Sequence, residues 1–154
     1  MPIASSVPVA SPARPIHKWW VLVAVGLCLF LGSVDGSIVN VASILGLVAA
    51  SPMKDASYCS SKGALVNLTR QLGCEWGRKG VRVNALAPGW FPSEMTQADM
   101  FDDEGGAQFV TRNTPMGRAG EPAELDGALL FLAGPASSYV TGQILAVDGG
   151  WTAR

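Results

Sequence analysis

Short, mainly apolar runs alternate with longer segments of helical character after Asp35, and this alternation most limits what the chain can fold into. The three runs span residues 37–42, 81–87 and 144–147. Short apolar runs rich in Val and Ile are typical of strands buried on both faces of a parallel sheet. Parallel strands joined by helices pack through right-handed crossovers. The sequence therefore predicts an α/β fold with a three-stranded parallel sheet.

The longest predicted helix covers residues 56–77. Four apolar residues recur along it at helical spacing, namely Leu65, Leu68, Leu72 and Trp76. Two basic residues and a glycine at 78–80 are suited to its carboxyl end. A second helix is predicted from Pro122, a residue favoured in a first helical turn, to about Leu132. Residues 90–120 are polar, and we expect a long loop or a helical flap there.

An uncharged apolar segment, residues 19–34, precedes the α/β region. It follows Arg14 and Lys18 and begins with two tryptophans, a residue type enriched at membrane interfaces. We expect an apolar helix of transmembrane type over residues 17–35, although it is shorter than the roughly 20 apolar residues that span a bilayer. A signal peptide and a buried core helix are the alternatives. Residues 1–16, rich in Pro, Ser and Ala, are expected to be disordered.

Composition excludes some classes of function. The formal net charge of −1 argues against a nucleic-acid partner, which usually requires a basic patch. His17 is the only histidine, which excludes metal sites with several His ligands, and we expect no bound metal. Cys28, Cys59 and Cys74 lack metal-ligand spacing and are odd in number, so reduced thiols in a reducing compartment are expected.

Tyr58 and Lys62 lie one turn apart on the longest predicted helix, so their side chains point to the same side. A phenol is a poor proton donor or acceptor near neutral pH, and a nearby positive charge favours its ionised form. The two residues are a candidate general acid–base pair, although this spacing also occurs on ordinary helix surfaces. Ser43, Pro88-Gly89 and Asp148-Gly149-Gly150 follow the predicted strands, where parallel sheets bind ligands. Helix capping by Ser43 and simple turns at the glycines are the alternatives.

Four segments of the sequence also resemble segments of a known protein family. They are GSIVNVAS (36–43), SYCSSKGALVNLTRQLGCEWGRKGVRVNALAPG (57–89), TPMGRAGEPAEL (114–125) and SSYVTGQILAVDGG (137–150). In this order they resemble the C-terminal half of the short-chain dehydrogenase/reductase family, over residues from about 36 to 154. The resemblance implies a partial Rossmann-like sheet, with the last three strands of the doubly wound fold. It also implies an oxidoreductase that transfers hydride between NAD or NADP and an alcohol or carbonyl substrate.

The catalytic residues of the family have counterparts in this sequence. Tyr58 resembles the catalytic acid/base, and Lys62 resembles the lysine that promotes its ionisation and binds the nicotinamide ribose. Ser43 matches the serine that orients the substrate carbonyl, although the loop 44–57 is longer than in the commonest arrangement.

The resemblance also implies residues that contact the cofactor and substrate. Pro88-Gly89 is similar to the turn that borders the nicotinamide. Phe91 and Ser93 occupy positions whose backbone and hydroxyl hold the carboxamide, with Ser93 in place of a usual threonine. Residues 94–118 correspond to the variable flap over the substrate.

The glycine-rich first half of the family, which binds the cofactor pyrophosphate at a helix N-terminus, has no counterpart that we identify. Residues 36–154 are therefore expected to form an incomplete NAD(P)-binding domain. HKWWVLVAVGLCLFLGSVDGSIVNVA (17–42) instead resembles the first transmembrane helix of a major-facilitator multidrug antiporter. We interpret the chain as a hybrid of the two, joined within residues 36–42. Transport by the chain is disfavoured, because only 17–42 supports it.

Two hypotheses describe what such a chain does. The first is an NAD(P)-dependent oxidoreductase acting on a small alcohol or carbonyl compound. The second is a catalytically inactive fragment of such an enzyme, either membrane-anchored through residues 19–34 or dependent on a partner. A cytoplasmic location is expected for residues 36–154, and a homo-oligomer is expected to form through helix 56–77.

Overall fold

The computed structural model describes residues 36–93, 96, 101–102 and 104–154. The disorder predicted for residues 1–16 and the apolar helix predicted for 17–35 lie outside these described residues. Among the described residues, none of the helices combines the length and apolar character needed to cross a bilayer.

Three parallel strands form one sheet in the order β1-β2-β3. They are β1 (Ser37–Val41), β2 (Arg82–Pro88) and β3 (Ile144–Val147). Strand β1 pairs with β2 from Ser37↔Arg82 to Val41↔Leu86, and β2 pairs with β3 from Ala85↔Ile144 to Pro88↔Val147. The predicted α/β fold and parallel sheet are confirmed, with strand bounds within one residue of those predicted.

The described α-helices are α1 (Ala56–Trp76), α2 (Glu104–Asn113) and α3 (Asp126–Ala133). Short 3-10 turns surround them at Ile44–Gly46, Gly77–Lys79, Pro122–Leu125, Pro135–Ser137 and Trp151–Ala153. Helix α1 begins after Asp55, whose carboxylate accepts a hydrogen bond from the Tyr58 N–H at 3.2 Å. The helix predicted from Pro122 begins as a 3-10 turn and becomes α-helical at Asp126.

Helices cover both faces of the sheet. On one face, Leu65 and Val66 of α1 pack against Ala85 and Ala87 of β2. On the other face, Leu132 of α3 packs against a cluster of sheet residues that includes Val39 and Leu86. Successive residues of β2 therefore point to opposite cores, which is why residues 85–88 of this strand are all apolar.

Arg82 ties the carboxyl end of α3 to the beginning of β2. Its guanidinium donates hydrogen bonds to the carbonyl oxygens of Leu132 at 3.0 Å, Gly134 at 3.2 Å and Ser137 at 3.0 Å. The last carbonyls of a helix have no partner within the helix itself. Arg82 supplies such a partner to Leu132, together with the Ser37 and Ser137 hydroxyls, and fixes the end of α3 at the amino edge of the sheet, opposite the candidate site.

Candidate active site

The three strands end at one edge of the sheet, and the candidate residues follow them there. Ser43 lies just beyond β1, Pro88 is the last residue of β2, and Asp148 directly follows β3. Crevices beyond the carboxyl ends of parallel strands are the usual ligand sites of open α/β sheets.

Ser43 caps the 3-10 turn Ile44–Gly46. Its backbone is extended and its side-chain oxygen accepts a hydrogen bond from the Leu45 N–H at 3.1 Å. The residue is almost fully buried, with 7% of its surface exposed. The capping alternative is therefore observed. It leaves the hydroxyl proton of Ser43 available for donation, because a hydroxyl both donates and accepts.

Helix α1 presents Tyr58 and Lys62 on the same side, one turn apart. The Lys62 Nζ donates a hydrogen bond to the Val41 carbonyl oxygen at 3.0 Å. The same Nζ lies 5.6 Å from the centroid of the Tyr58 ring, which is within range of a cation–π interaction. Both side chains are half-buried. An ammonium has three donors, so the bond to Val41 leaves Lys62 with capacity to bind another acceptor.

Close packing brings the turn after Ser43 against the helix that carries Tyr58 and Lys62. A Cβ atom at Gly46 would lie 2.7 Å from the carbonyl carbon and oxygen of Lys62. Real Cβ atoms do not approach backbone so closely, so this position requires glycine. The small residue thereby sets the spacing between the end of β1 and α1.

The turn after β2 packs directly on the residue that follows β3. The Gly89 N–H donates to the Val147 carbonyl at 2.9 Å. A Cβ at Gly89 would lie 2.7 Å from the Asp148 Cα, which explains the glycine by packing alone. The predicted turn Pro88-Gly89 therefore lies at the carboxyl edge, between the ends of β2 and β3.

Asp148 organises the chain after β3. Its carboxylate accepts hydrogen bonds from the Gly150 N–H at 2.9 Å, the Thr152 N–H at 2.9 Å and the Thr152 hydroxyl at 2.6 Å. Burial raises the pKa of Asp148, but these hydrogen bonds from Thr152 and the backbone outweigh burial and hold the pKa below its usual value. The ionised carboxylate thus stabilises the turn that leads into Trp151.

Phe91 and Ser93 belong to one turn that Thr96 closes. The Thr96 hydroxyl donates to the Phe91 carbonyl at 2.7 Å and lies 3.0 Å from the Ser93 Oγ. The Phe91 ring packs on Gly120, where any Cβ would collide with the ring. The structure therefore brings Phe91 and Ser93 together, with the Ser93 hydroxyl engaged by Thr96.

A cleft of about 80 Å³ lies beside this turn. Its lining includes Trp90, Phe91, Arg118 and Asp148, but none of the candidate catalytic residues. Arg118 forms a bidentate ion pair with Glu124, with both N···O distances at 2.7 Å. The hydrogen bond from Arg118 lowers the pKa of Glu124 to about 2. The cleft borders the predicted nicotinamide turn and is separate from Tyr58 and Lys62.

An aromatic cluster at the site was not predicted from the sequence. The buried ring of Trp151 makes edge contacts with Trp90, at a centroid distance of 5.4 Å, and with Phe109, at 5.8 Å. Tyr58 and Cys59 pack against the same buried group. The sequence did contain a sign of this cluster. Trp90 and Trp151 each directly follow a glycine after a predicted strand, in PGW (88–90) and GGW (149–151).

Comparison with known proteins agrees with this architecture. Residues 23–152 match the family described as enoyl-(acyl carrier protein) reductase. Galactitol 2-dehydrogenase (L-tagatose-forming) of Cereibacter sphaeroides is 53% identical over 122 residues, which cover 76% of this chain and 46% of the relative. The family match includes residues 23–35, so the interpretation of the chain as a transporter hybrid is not supported.

Solved structures give the same result. A gluconate 5-dehydrogenase from Burkholderia cenocepacia, in complex with NADP and tartrate, is 40% identical with a TM-score of 0.73 over 78% of this chain and 46% of that chain. A short-chain type dehydrogenase/reductase from Mycobacterium marinum is 35% identical with a TM-score of 0.72, over 79% and 46% of the two chains. The chain spans about half the length of the curated relatives it matches. These matches, together with the parallel sheet and the Tyr58–Lys62 helix, show that the chain belongs to the short-chain dehydrogenase/reductase family.

Proposed function

We propose that the chain is an NAD(P)-dependent oxidoreductase that interconverts an alcohol and a carbonyl compound. The observation that carries this proposal is the Tyr58–Lys62 pair, with Nζ 5.6 Å from the phenol ring, beside the end of β1 where Ser43 lies. Relatives named as polyol and sugar-acid dehydrogenases support the reaction class.

Tyr58 acts as the acid/base in this proposal. Its hydroxyl gives a proton to the carbonyl oxygen during reduction, and its phenolate takes the proton back from the alcohol during oxidation. Ser43 donates its free hydroxyl proton to the same substrate oxygen and orients it. Lys62 stabilises negative charge on the phenol oxygen through its ammonium group. A nicotinamide nucleotide bound at this edge would supply the hydride for reduction and would accept it in oxidation.

The residues at the sheet edge fit a nicotinamide nucleotide. Lys62 keeps donor capacity for ribose hydroxyls, because its contact with Val41 uses one of three N–H groups. Pro88, Gly89, Phe91 and Ser93 would border the nicotinamide and its carboxamide. Solved relatives contain NADP, in the gluconate 5-dehydrogenase, and NADH, in a 4-hydroxyisoleucine dehydrogenase, which supports either nucleotide here.

We propose a small polyol or sugar acid as the substrate class. The names galactitol 2-dehydrogenase and gluconate 5-dehydrogenase support this proposal. The test is a panel of such compounds, with nucleotide absorbance followed in both directions.

Nucleotide binding is the first experiment, because it requires no known substrate. The thermal unfolding midpoint of the purified chain is measured with NADH, with NADPH and with neither. A ligand that binds only the folded chain raises the midpoint, by an amount that grows with the ratio of its concentration to Kd. We expect a rise with at least one nucleotide, and no rise with either at millimolar levels would contradict activity of the isolated chain.

A partner-dependent fragment is the second candidate, and one surface observation favours it. Val41, Leu47 and Val48 are 40%, 36% and 37% exposed, and all three lie at or just beyond the end of β1. Apolar residues grouped in this way mark a surface suited to contact with another protein. This candidate predicts no turnover by the chain alone and turnover after addition of the protein it binds. Turnover by the purified chain alone would contradict it.

We also propose self-association through α1 and membrane contact through residues 19–34. Light scattering after gel filtration measures the molar mass and so tests self-association. Replacement of the exposed α1 residue Asn67 by Arg is expected to convert an oligomer to a monomer, whereas an unchanged mass would exclude that surface. Flotation of the chain with lipid vesicles tests membrane contact, and a chain that stays at the bottom of the gradient would exclude such contact.

A further inference from the structure

Trp151 contacts two separate parts of the candidate site and belongs to a buried group that touches a third. Its ring meets Trp90, directly after the Pro88-Gly89 turn, and Phe109 of α2. It also belongs to the buried group against which Tyr58 packs, in the first turn of α1. Only 6% of Trp151 is exposed, although it is the fourth residue from the end of the sequence. A single buried side chain therefore joins the Trp90 turn to α2, within the buried group against which α1 packs.

The segment that carries Trp151 is held firmly in place. Asp148 binds the N–H groups of Gly150 and Thr152, which fixes the turn that precedes and follows the ring. The Met116 N–H donates to the Gly149 carbonyl at 3.1 Å, which joins this turn to the chain just after α2. The Arg154 guanidinium lies 4.6 Å from the Trp151 ring centroid and covers the ring.

We propose that Trp151 is a positioning residue that holds α2 and the Trp90 turn against the Tyr58 end of α1. Its two edge contacts require a ring large enough to reach Trp90 and Phe109 at once, and indole is the largest side chain available. Its effect on turnover rests on the proposed function, whereas the anchoring of α2 does not.

Limited trypsin digestion tests the anchoring of α2 and requires no measurement of enzyme activity. Arg112 of α2 and Arg70 of α1 are both exposed and can be cleaved by trypsin. The ratio of the cleavage rate at Arg112 to that at Arg70 therefore reports local release of α2. Trp151→Ala is expected to raise the rate at Arg112 relative to Arg70 by about tenfold, because an unanchored helix opens locally. Leu132→Ala is the matched control, since it removes a fully buried side chain from the opposite face of the sheet. We expect the ratio to stay unchanged in Leu132→Ala.

Two outcomes would overturn the anchoring. One is an unchanged ratio in Trp151→Ala, and the other is an equal increase in Leu132→Ala. If Trp151→Ala unfolds altogether, Phe109→Ala decides the matter, because it removes the same contact from the α2 side and leaves Trp90 and Trp151 together. Cleavage at Arg112 and Arg70 that rises equally in Phe109→Ala also overturns the proposal.

Kinetics then separate positioning from general stability. We expect Trp151→Ala to raise the substrate KM about tenfold, and Trp151→Phe, whose smaller ring keeps part of the aromatic contact, to recover only part of that loss. An equal rise of the substrate KM in Trp151→Ala and Trp151→Phe would overturn the positioning role. A wild-type chain without turnover would contradict the proposed function, and the digestion ratio would still decide whether Trp151 anchors α2.

Discussion

The Nζ of Lys62 lies 3.0 Å from the carbonyl oxygen of Val41, so α1 is joined to the last residue of β1. This contact brings the only lysine of α1 to the sheet edge, two positions before Ser43. It orients the ammonium beside the Tyr58 ring and stabilises the strand end at the same time. The contact therefore links the fold of the sheet to the candidate chemistry.

Loss of this ammonium should weaken nucleotide binding more than it weakens folding. Lys62→Met keeps much of the side-chain length but removes every donor, and we expect the nucleotide Kd to rise at least about tenfold. The lost hydrogen bond should lower the free energy of unfolding by about 1 kcal/mol. Isothermal titration and urea unfolding measure the two effects, with the exposed Lys54→Met as control. Equal nucleotide affinity in Lys62→Met and wild type would contradict the assigned role.

Gly46 should tolerate no side chain. Gly46→Ala would place a Cβ 2.7 Å from the Lys62 carbonyl, and the backbone shift needed to relieve this should cost about 1–3 kcal/mol. Gly127→Ala is the control, because Gly127 lies in α3 with nothing within 4 Å of its added Cβ. Alanine there should be neutral or stabilising by up to about 1 kcal/mol. Urea unfolding that gives the same effect for both variants would refute the packing argument.

The ionised carboxylate of Asp148 should stabilise the fold in a pH-dependent way. Because folding lowers its pKa, this stabilisation is present above the ordinary aspartate pKa and is lost as the pH falls toward the folded value. Asp148→Asn should therefore lower the free energy of unfolding more near neutrality than in acid. Urea unfolding of both proteins across this pH range measures the difference. A difference that is constant with pH would show that the charge of Asp148 contributes nothing.

Arg82 should be sensitive even to a conservative change. Arg82→Lys retains the charge but cannot reach the carbonyls of Leu132, Gly134 and Ser137 together, since an ammonium lacks the planar fork. We expect a loss of about 2 kcal/mol in the free energy of unfolding. The exposed Arg78→Lys serves as control and should change it by less than about 0.5 kcal/mol. Comparable losses of unfolding free energy in both variants would show that the hydrogen bonds from Arg82 to these carbonyls do not stabilise the fold.

Local patterns predicted the sheet and α1 well because they depend on short-range properties. The β-branched run at 37–42 and the capping and stop residues around α1 suffice to place these elements. Residues 90–120 were expected to form a long loop or a helical flap, and α2 is the helical part, although its bounds could not be placed because Gly105 and Gly106 lower helix propensity by about 1 kcal/mol each relative to alanine. Packing of Phe109 against Trp151, and burial of Val110 to 1% exposure, stabilise the helix despite them.

The site was only partly predictable for a related reason. Strand ends and helical spacing predict the positions of Ser43, Tyr58 and Lys62 at one sheet edge, whereas their catalytic roles are implied only by the family resemblance. The contact of Trp90 and Phe109 with Trp151 joins residues far apart in sequence, so no local pattern reports it. The hydrogen bond from Lys62 to Val41 depends likewise on the exact approach of α1 to β1 that Gly46 allows.

The turnover of Tyr58→Phe tests the central proposal most directly. This variant removes one hydroxyl and leaves the ring, its packing and the neighbouring Lys62 in place. Tyr139→Phe, at a fully exposed tyrosine, is the matched control. With NADH or NADPH and a reducible sugar-acid substrate, we predict that Tyr58→Phe lowers kcat by about 10²–10⁴-fold with an unchanged nucleotide Kd. A kcat equal to that of wild type would contradict the role of Tyr58 as the acid/base.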